Sequence, residues 1–280
     1  MVASVQRALG VLGLLALVGF GLYARERFVR RSPLRFVYLT GQLDDQRYRE
    51  LASRAGWARG KVTLGDGGFL NGLVRKPLAA NARWVLYYSG NDATMLAHGQ
   101  KFLSQLAGER DWGLAVFAYR GFDSSSGVPE IEQLGADASA IYDEVAAMAG
   151  TSGLHVVGFS IGGHLAVRAV AAAKLAGHPP RSLTLLAGVS DIVMLRRSVW
   201  QKFALGDVFR TSPFLKDVPA PVLVLQGSAD EALGGPGQGR EMAAILGARC
   251  SYQELEQVGH EALLAHAGAL ASVRAFIEQH

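Results

Sequence analysis

The sequence predicts an α/β domain: a mostly parallel, doubly wound sheet with helices on both faces. Three observations predict it. Short apolar, β-branched or aromatic runs, such as WVLYY at 84–88 and VLVLQ at 222–226, alternate with longer stretches at helical spacing. One run, Leu154–Val157, passes through Gly158-Phe159-Ser160-Ile161-Gly162 into an Ala-rich segment, His164–Ala176, that Gly177 and the Pro179-Pro180 pair end. Two later strands each run into a turn bearing a carboxylate or a histidine, and ligands in open α/β sheets bind past the carboxyl ends of strands.

The 280 residues suffice for one large domain, half of them apolar and about a fifth charged. A single cysteine, Cys250, excludes an intrachain disulfide framework and a cysteine-based zinc site. It opens a predicted strand and is expected to be a small buried hydrophobe. The basic pI of about 9.3 invites a nucleic-acid reading, so the position of the charge matters. Residues 1–35 hold six Arg and one Glu, a net of +5, and the other 245 residues hold 22 basic and 23 acidic side chains. A folded domain so balanced has no electrostatic footprint for nucleic acid.

Ala8–Tyr23 is an uncharged apolar run between Arg7 and Arg25. It is a little shorter than the ~20 residues of a comfortable membrane span. A signal peptide cleaved after Ala24 has Leu22 as a mediocre companion, and a buried core helix would be amphipathic, which this run is not. An uncleaved anchor is the expectation, making residues 1–35 anchor plus basic juxtamembrane linker and 36–280 the α/β domain. The Arg25, Arg27, Arg30 and Arg31 cluster would by the positive-inside rule stay cytoplasmic, and it suits anionic headgroups.

In chain order, Leu43–Trp57 reads as a polar helix and Lys61–Leu64 as a strand. Asp66-Gly67-Gly68 turns the chain into a second strand, Phe69–Val74, an antiparallel hairpin that opens the sheet. Trp84–Tyr88 is a buried strand, Thr94–Leu106 a helix and Leu114–Tyr119 the next strand. Ile131, Leu134, Ile141, Val145 and Met148 make 130–149 an amphipathic helix stopped by Gly150. After the helical segment His164–Ala176 come the strand Leu183–Leu186, an irregular stretch at 190–212, the strands Val222–Gln226 and Tyr252–Leu255, and a closing helix, Ala262–Gln279.

Strand, G-x-S-x-G and helix together are the context of a nucleophile elbow, a turn so tight that flanking side chains collide. With it stand the loop Tyr119-Arg120-Gly121-Phe122-Asp123-Ser124-Ser125-Ser126-Gly127, Gly227-Ser228-Ala229-Asp230 after one strand, and Gly259-His260 after the last. In these motifs, from about Val62 onward, the chain resembles the α/β-hydrolase superfamily, whose corresponding patterns are YRGxGxSxG, G-x-x-D and G-H. The nearest resemblance is to small membrane-anchored serine hydrolases of monoacylglycerol lipase or thioesterase type.

The resemblance implies a triad: Ser160 attacks, His260 moves the proton, and Asp230 fixes the imidazole's tautomer. Glu231, one residue off, and Asp191, after the preceding strand, are the rival acids. It also implies two backbone donors for an oxyanion, the N–H groups of Ile161 and Asn91, with Ser89 where many relatives carry histidine. Met194, Leu195, Trp200 and Phe203 either line an acyl pocket or form one side of a core helix. His164 reads as a packing residue and His266 as a surface group on the closing helix, while His98, His155 and His178 have no metal spacing. No phosphate loop or dinucleotide fingerprint implies a cofactor.

The expected function is hydrolysis of carboxylic esters or thioesters with apolar acyl groups, the substrate being a small molecule or a lipid. The resemblance implies a bacterial inner-membrane protein facing the periplasm, or a secreted one if the leader is cleaved. A peptidase of the same fold and a non-catalytic membrane-anchored scaffold are the alternatives.

Overall fold

A computed structural model describes residues 43–191 and 209–280, together with Phe20 and Gly21. Met194, Leu195, Trp200 and Phe203 lie outside the described residues, as do the boundary at residue 35 and all of 8–23 except Phe20 and Gly21. Among the described residues no helix is long and apolar enough to cross a membrane.

The chain begins with α1 (Asp45–Ala52), capped where the Asp44 side chain accepts the N–H of Arg47 at 2.7 Å. The hairpin β1 (Trp57–Thr63) and β2 (Phe69–Arg75) follows, then β3 (Trp84–Tyr88), α2 (Met95–Ala107), β4 (Gly113–Phe117) and α3 (Ile131–Ala149). Next are β5 (Leu154–Phe159), α4 (Ile161–Ala176), β6 (Ser182–Leu186) and a short helix α5 (Ser212–Leu215). The chain closes with β7 (Val222–Gly227), α6 (Gly237–Leu246), β8 (Cys250–Leu255) and α7 (Ala267–Gln279).

The strands form one sheet in the order β1-β2-β4-β3-β5-β6-β7-β8. β1 and β2 pair antiparallel, as do β2 and β4; every other pair is parallel. Strands β3 to β7 are buried along their whole length, as a parallel sheet covered on both faces requires. Neighbouring residues of β3 show the two layers, because successive side chains leave a strand on opposite faces. The Tyr87 ring packs 4.6 Å from Phe102 of α2, whereas the Tyr88 hydroxyl donates to the Ala138 carbonyl of α3 at 2.6 Å. α7 lies beside α2 and α4 beside α3, completing the layers.

Several boundaries differ from the sequence reading. The first strand starts at Trp57 rather than Lys61, because its register against β2 runs from Trp57↔Arg75 to Thr63↔Phe69, and α1 is correspondingly shorter. The elbow helix starts at Ile161, directly after the serine, and ends in Gly177 at φ +82, with the His178 N–H returning to the Ala173 carbonyl. α6 has no counterpart in the sequence reading. Its start, Gly234-Gly235-Pro236-Gly237, reads as loop, and burial of Gln238, Met242 and Leu246 holds it. The closing segment divides into a 3-10 turn, Glu261–Leu264, and α7, and His266 is not inside the helix but caps it, accepting the Ala269 N–H at 3.3 Å. Cys250 does open β8, but half-buried; its surroundings still push the thiol pKa up by desolvation.

Candidate active site

The glycines of the elbow are demanded by backbone. A Cβ on Gly162 would lie 2.3 Å from the carbonyl oxygens of both Tyr88 and Ser89, and one on Gly158 would lie 2.7 Å from the Gly163 Cα. Helix α4 thus starts hard against the end of β3. The corner residue between strand and helix is Ser160, at φ +55 and ψ −124, a conformation that residues other than glycine rarely adopt. Its N–H donates to the Leu186 carbonyl at 2.9 Å and its own carbonyl accepts from Gly163 at 3.0 Å, so the turn is fixed from both sides. The N–H of Ile161 belongs to the first turn of α4, where amides have no partner within the helix and the dipole favours negative charge.

The loops after β7 and β8 are joined by backbone. Ser228 N–H donates to Leu255 O at 2.9 Å and Ala229 N–H to Val258 O at 3.1 Å, and Ser228 Oγ accepts the Gln257 N–H at 2.9 Å. A Cβ on Gly227 would sit 2.1 Å from Val258 O, which explains the glycine of G-x-x-D. This junction brings Asp230 to His260, with Oδ2 and Nδ1 2.8 Å apart. The buried carboxylate takes two further donors, Gln226 Nε2 on Oδ2 at 2.8 Å and the Leu233 N–H on Oδ1 at 2.9 Å. An ionised carboxylate only accepts, so Nδ1 carries the hydrogen, and in the neutral imidazole the lone pair is then on Nε2. The His260 ring packs 4.8 Å from that of Phe159, the residue immediately before Ser160. Neither rival acid shares this place: Glu231 is exposed, and the Asp191 carboxylate lies 3.8 Å from Arg210 while its N–H donates to Gln238.

The loop from Ser89 to Thr94 lies across the elbow. A Cβ on Gly90 would meet Phe159 at 2.8 Å and the Ser160 Cβ at 3.3 Å, so only glycine lets the loop approach the serine. Ser89 is buried. Its carbonyl accepts the Tyr119 hydroxyl at 2.8 Å and its Oγ reaches the Met95 carbonyl at 3.5 Å. Asn91, next in the loop, is exposed and lines a cavity of about 380 Å³ between this loop, α2 and the turn after His260. Phe102, Phe159, Leu264 and Ala265 give that cavity an apolar wall, and Lys101 and Asp92 stand in it as polar groups. The sequence reading did not find it, because its walls come from four separated segments.

Beside this loop stands a carboxylate that the sequence reading also passed over. Asp123 is buried, at φ +42, where the YRGxGxSxG pattern has glycine. Burial pushes its pKa up to about 6, the Leu96 N–H opposes that rise, and the charge of Asp92 adds to it. Earlier in the same loop, Arg120 grips Asp137 of α3 through Nε at 2.6 Å and Nη2 at 3.0 Å, and reaches Asp66 of the hairpin turn through Nη1 at 2.6 Å. The loop is thereby clamped between hairpin and helix.

Of the other histidines, His98 lines the same cavity, and His155, His164 and His178 lie away from it. His164 is buried, with Nδ1 3.1 Å from Thr211 Oγ1 and its edge toward Phe209, and burial holds its pKa down at about 3. His155 is buried against Ser182 and held at about 4, chiefly by burial. His178 pairs with Asp143 and His98 with Asp92. Among the described residues no cluster of His, Cys, Asp and Glu could hold a metal ion.

No protein-family model matches the chain, and no curated protein matches it in sequence. Its fold is shared with many solved structures. An esterase from Pyrococcus furiosus superposes with a TM-score of 0.65 at 13% identity, over 87% of this chain and 97% of that one. A putative hydrolase from Agrobacterium vitis S4 gives 0.62 at 19% identity, over 80% and 97%. A puromycin-hydrolyzing peptidase from Mycobacterium tuberculosis gives 0.60 at 17% identity, over 80% of this chain but 39% of that longer one. At such identities the likeness shows the fold, and the fold is that of the α/β-hydrolases.

Proposed function

We propose that this chain is a serine hydrolase that cleaves carboxylic esters or thioesters with apolar acyl groups through Ser160, His260 and Asp230. One observation carries the reading: a histidine held by a buried carboxylate at 2.8 Å packs against the residue preceding a serine at φ +55. His260 Nε2 takes the proton of Ser160 Oγ as the oxygen attacks the acyl carbon, and Asp230 offsets the imidazolium's charge. The oxyanion of the tetrahedral intermediate lies between the N–H groups of Ile161 and Asn91. Collapse expels the alcohol or thiol, protonated by His260, and leaves an acyl-Ser160 that water cleaves by the same steps in reverse. The cavity beside Phe159 has an apolar wall suited to the hydrocarbon part of the substrate. Nothing in this chemistry calls on a cofactor. We also propose that residues 8–23 anchor the chain in a membrane, with the domain on the periplasmic side.

The test is hydrolysis of p-nitrophenyl esters of increasing acyl length, with a fluorophosphonate label located by mass spectrometry, for wild type and Ser160→Ala. Turnover and labelling at Ser160, both abolished in the variant, are expected. A folded wild type that neither turns over nor takes the label refutes the proposal and favours the scaffold. Cleavage of peptide anilides but not of esters favours the peptidase.

A further inference from the structure

Helix α2 begins where the oxyanion loop ends, and its cap is supplied from elsewhere. The first amides of a helix need acceptors, ordinarily from the side chain at the N-cap. Here the N-cap residue, Thr94, makes no side-chain cap bond and instead gives its own N–H to Asp92 Oδ1 at 3.0 Å. The acceptor for the first turn comes from the loop after β4: Asp123 Oδ2 takes the Leu96 N–H at 2.8 Å. To reach it, two successive non-glycine residues adopt left-handed backbone, Asp123 at φ +42 and Ser124 at φ +62. The Asp123 side chain is 1% exposed and its other oxygen, Oδ1, is buried with no hydrogen-bond partner. The Asp123 carbonyl also accepts from Asn71 Nδ2 at 3.1 Å, and Ser124 Oγ donates to Leu43 O at 2.6 Å, so the strained segment is tied down on its far side.

A surface loop has no need of this arrangement. A glycine at 123 would relieve the backbone, and the hydroxyl of Thr94 itself, turned toward the helix, would serve α2 locally. Strain and a half-satisfied buried carboxylate persist where the surrounding structure over-determines them, and the observed outlier points toward function. What the Leu96 bond fixes is the start of α2, hence the tail of the loop carrying Gly90 and Asn91 over Ser160.

We propose that Asp123 is a positioning residue for the oxyanion loop: it anchors the loop's downstream end to the loop after β4 and so sets where the Asn91 N–H points. It does not touch the substrate. The proposal rests on the serine-hydrolase reading, and its effect falls on the transition state rather than on substrate binding.

The experiment compares full-length wild type, Asp123→Gly and Asp123→Asn by kcat and KM on p-nitrophenyl butyrate, by the rate of fluorophosphonate labelling at Ser160, and by thermal unfolding. Asp123→Gly suits the positive φ but lacks the acceptor. It is expected to keep the wild-type Tm within a few degrees, to lose at least tenfold in kcat and labelling rate, and to hold KM within twofold. Asp123→Asn keeps an acceptor for Leu96 and is expected to recover kcat to within threefold of wild type. A folded Asp123→Gly with kcat within twofold of wild type overturns the proposal. So does an Asp123→Asn variant that is folded yet as slow as Asp123→Gly, because the role then is not that of an acceptor. A rise in KM matching the fall in kcat/KM overturns it also. Failure of the underlying reading looks different, since the wild type would then show neither turnover nor labelling at Ser160, and this proposal would fall with it.

Discussion

The tightest contact in the elbow sets a measurable demand on Gly162. Replacing it by alanine places a methyl carbon 2.3 Å from two carbonyl oxygens, those of Tyr88 and Ser89. Ordinary contact for a Cβ begins at 3.4 Å, so the start of α4 and the end of β3 must separate by about 1 Å. Neither oxygen can swing aside: both are backbone, and Ser89 O is held by the Tyr119 hydroxyl at 2.8 Å. Overpacking of this kind costs ~1–3 kcal/mol. For a chain of this size that lowers Tm by several degrees, at about 2–4 °C per kcal/mol. The larger effect is on rate. The displaced groups carry Ile161 and the Ser89–Asn91 loop, and a misplacement of ~1 Å in a catalytic constellation costs roughly 10²-fold. Hydrolysis of p-nitrophenyl butyrate by Gly162→Ala is therefore expected to fall about 10²-fold in kcat. Gly163→Ala is the control, since its nearest neighbour lies 3.5 Å away and the helix gains an alanine. It is expected to retain activity and to be stabilised by up to ~1 kcal/mol. A Gly162→Ala protein with more than half the wild-type kcat and an unchanged Tm would refute the reasoning, as would equal losses in both variants.

Two further predictions concern stability. Asp137→Ala removes the bidentate partner of a buried Arg120 and leaves the guanidinium with Asp66 alone, so urea unfolding is expected to show a loss of ~3–5 kcal/mol; a loss below 1 would show the clamp to be dispensable. Acid is expected to weaken the fold through His155 and His164, whose folded pKa values of about 4 and about 3 lie below the ordinary 6.5. A depressed histidine leaves its stability intact above 6.5 and loses it as pH falls toward the folded value. From pH 7 to pH 5 each contributes a loss of about 2 kcal/mol. Asp123 opposes them: raised to about 6, its contribution is fullest below 3.8 and is lost as pH rises through 6. It returns about 1 kcal/mol over the same interval. Urea melts at both pH values should therefore show a net loss, smaller by about 2 kcal/mol in His155→Gln; an unchanged difference in that variant would remove His155 from the account.

Where the sequence was legible, the signal was local. The buried strands Trp84–Tyr88, Leu154–Phe159 and Val222–Gly227 announce themselves because a parallel sheet covered on both faces is apolar throughout. The elbow is legible because its chemistry is contiguous: two glycines and a serine whose turn must sit between strand and helix. Asp230 and His260 could be named because each follows a strand by a few residues. Local signals failed where glycine hid a helix, as at α6, and where antiparallel pairing rather than composition set an end, as at Trp57.

By itself, then, the sequence determined the α/β class, the parallel strands, the strained serine's place in the chain and the confinement of excess positive charge to residues 1–35. Only the tertiary structure decided which carboxylate meets His260, that the cavity is walled by α2 and the turn after His260, and that Asp123 caps α2. The physical reason is range. A strand or a tight turn is fixed by interactions within a few residues, which a linear pattern records. A hydrogen bond between residues 30 apart, as from His260 to Asp230, exists only because backbone contacts such as Ala229 N–H to Val258 O hold the loops after two neighbouring strands together.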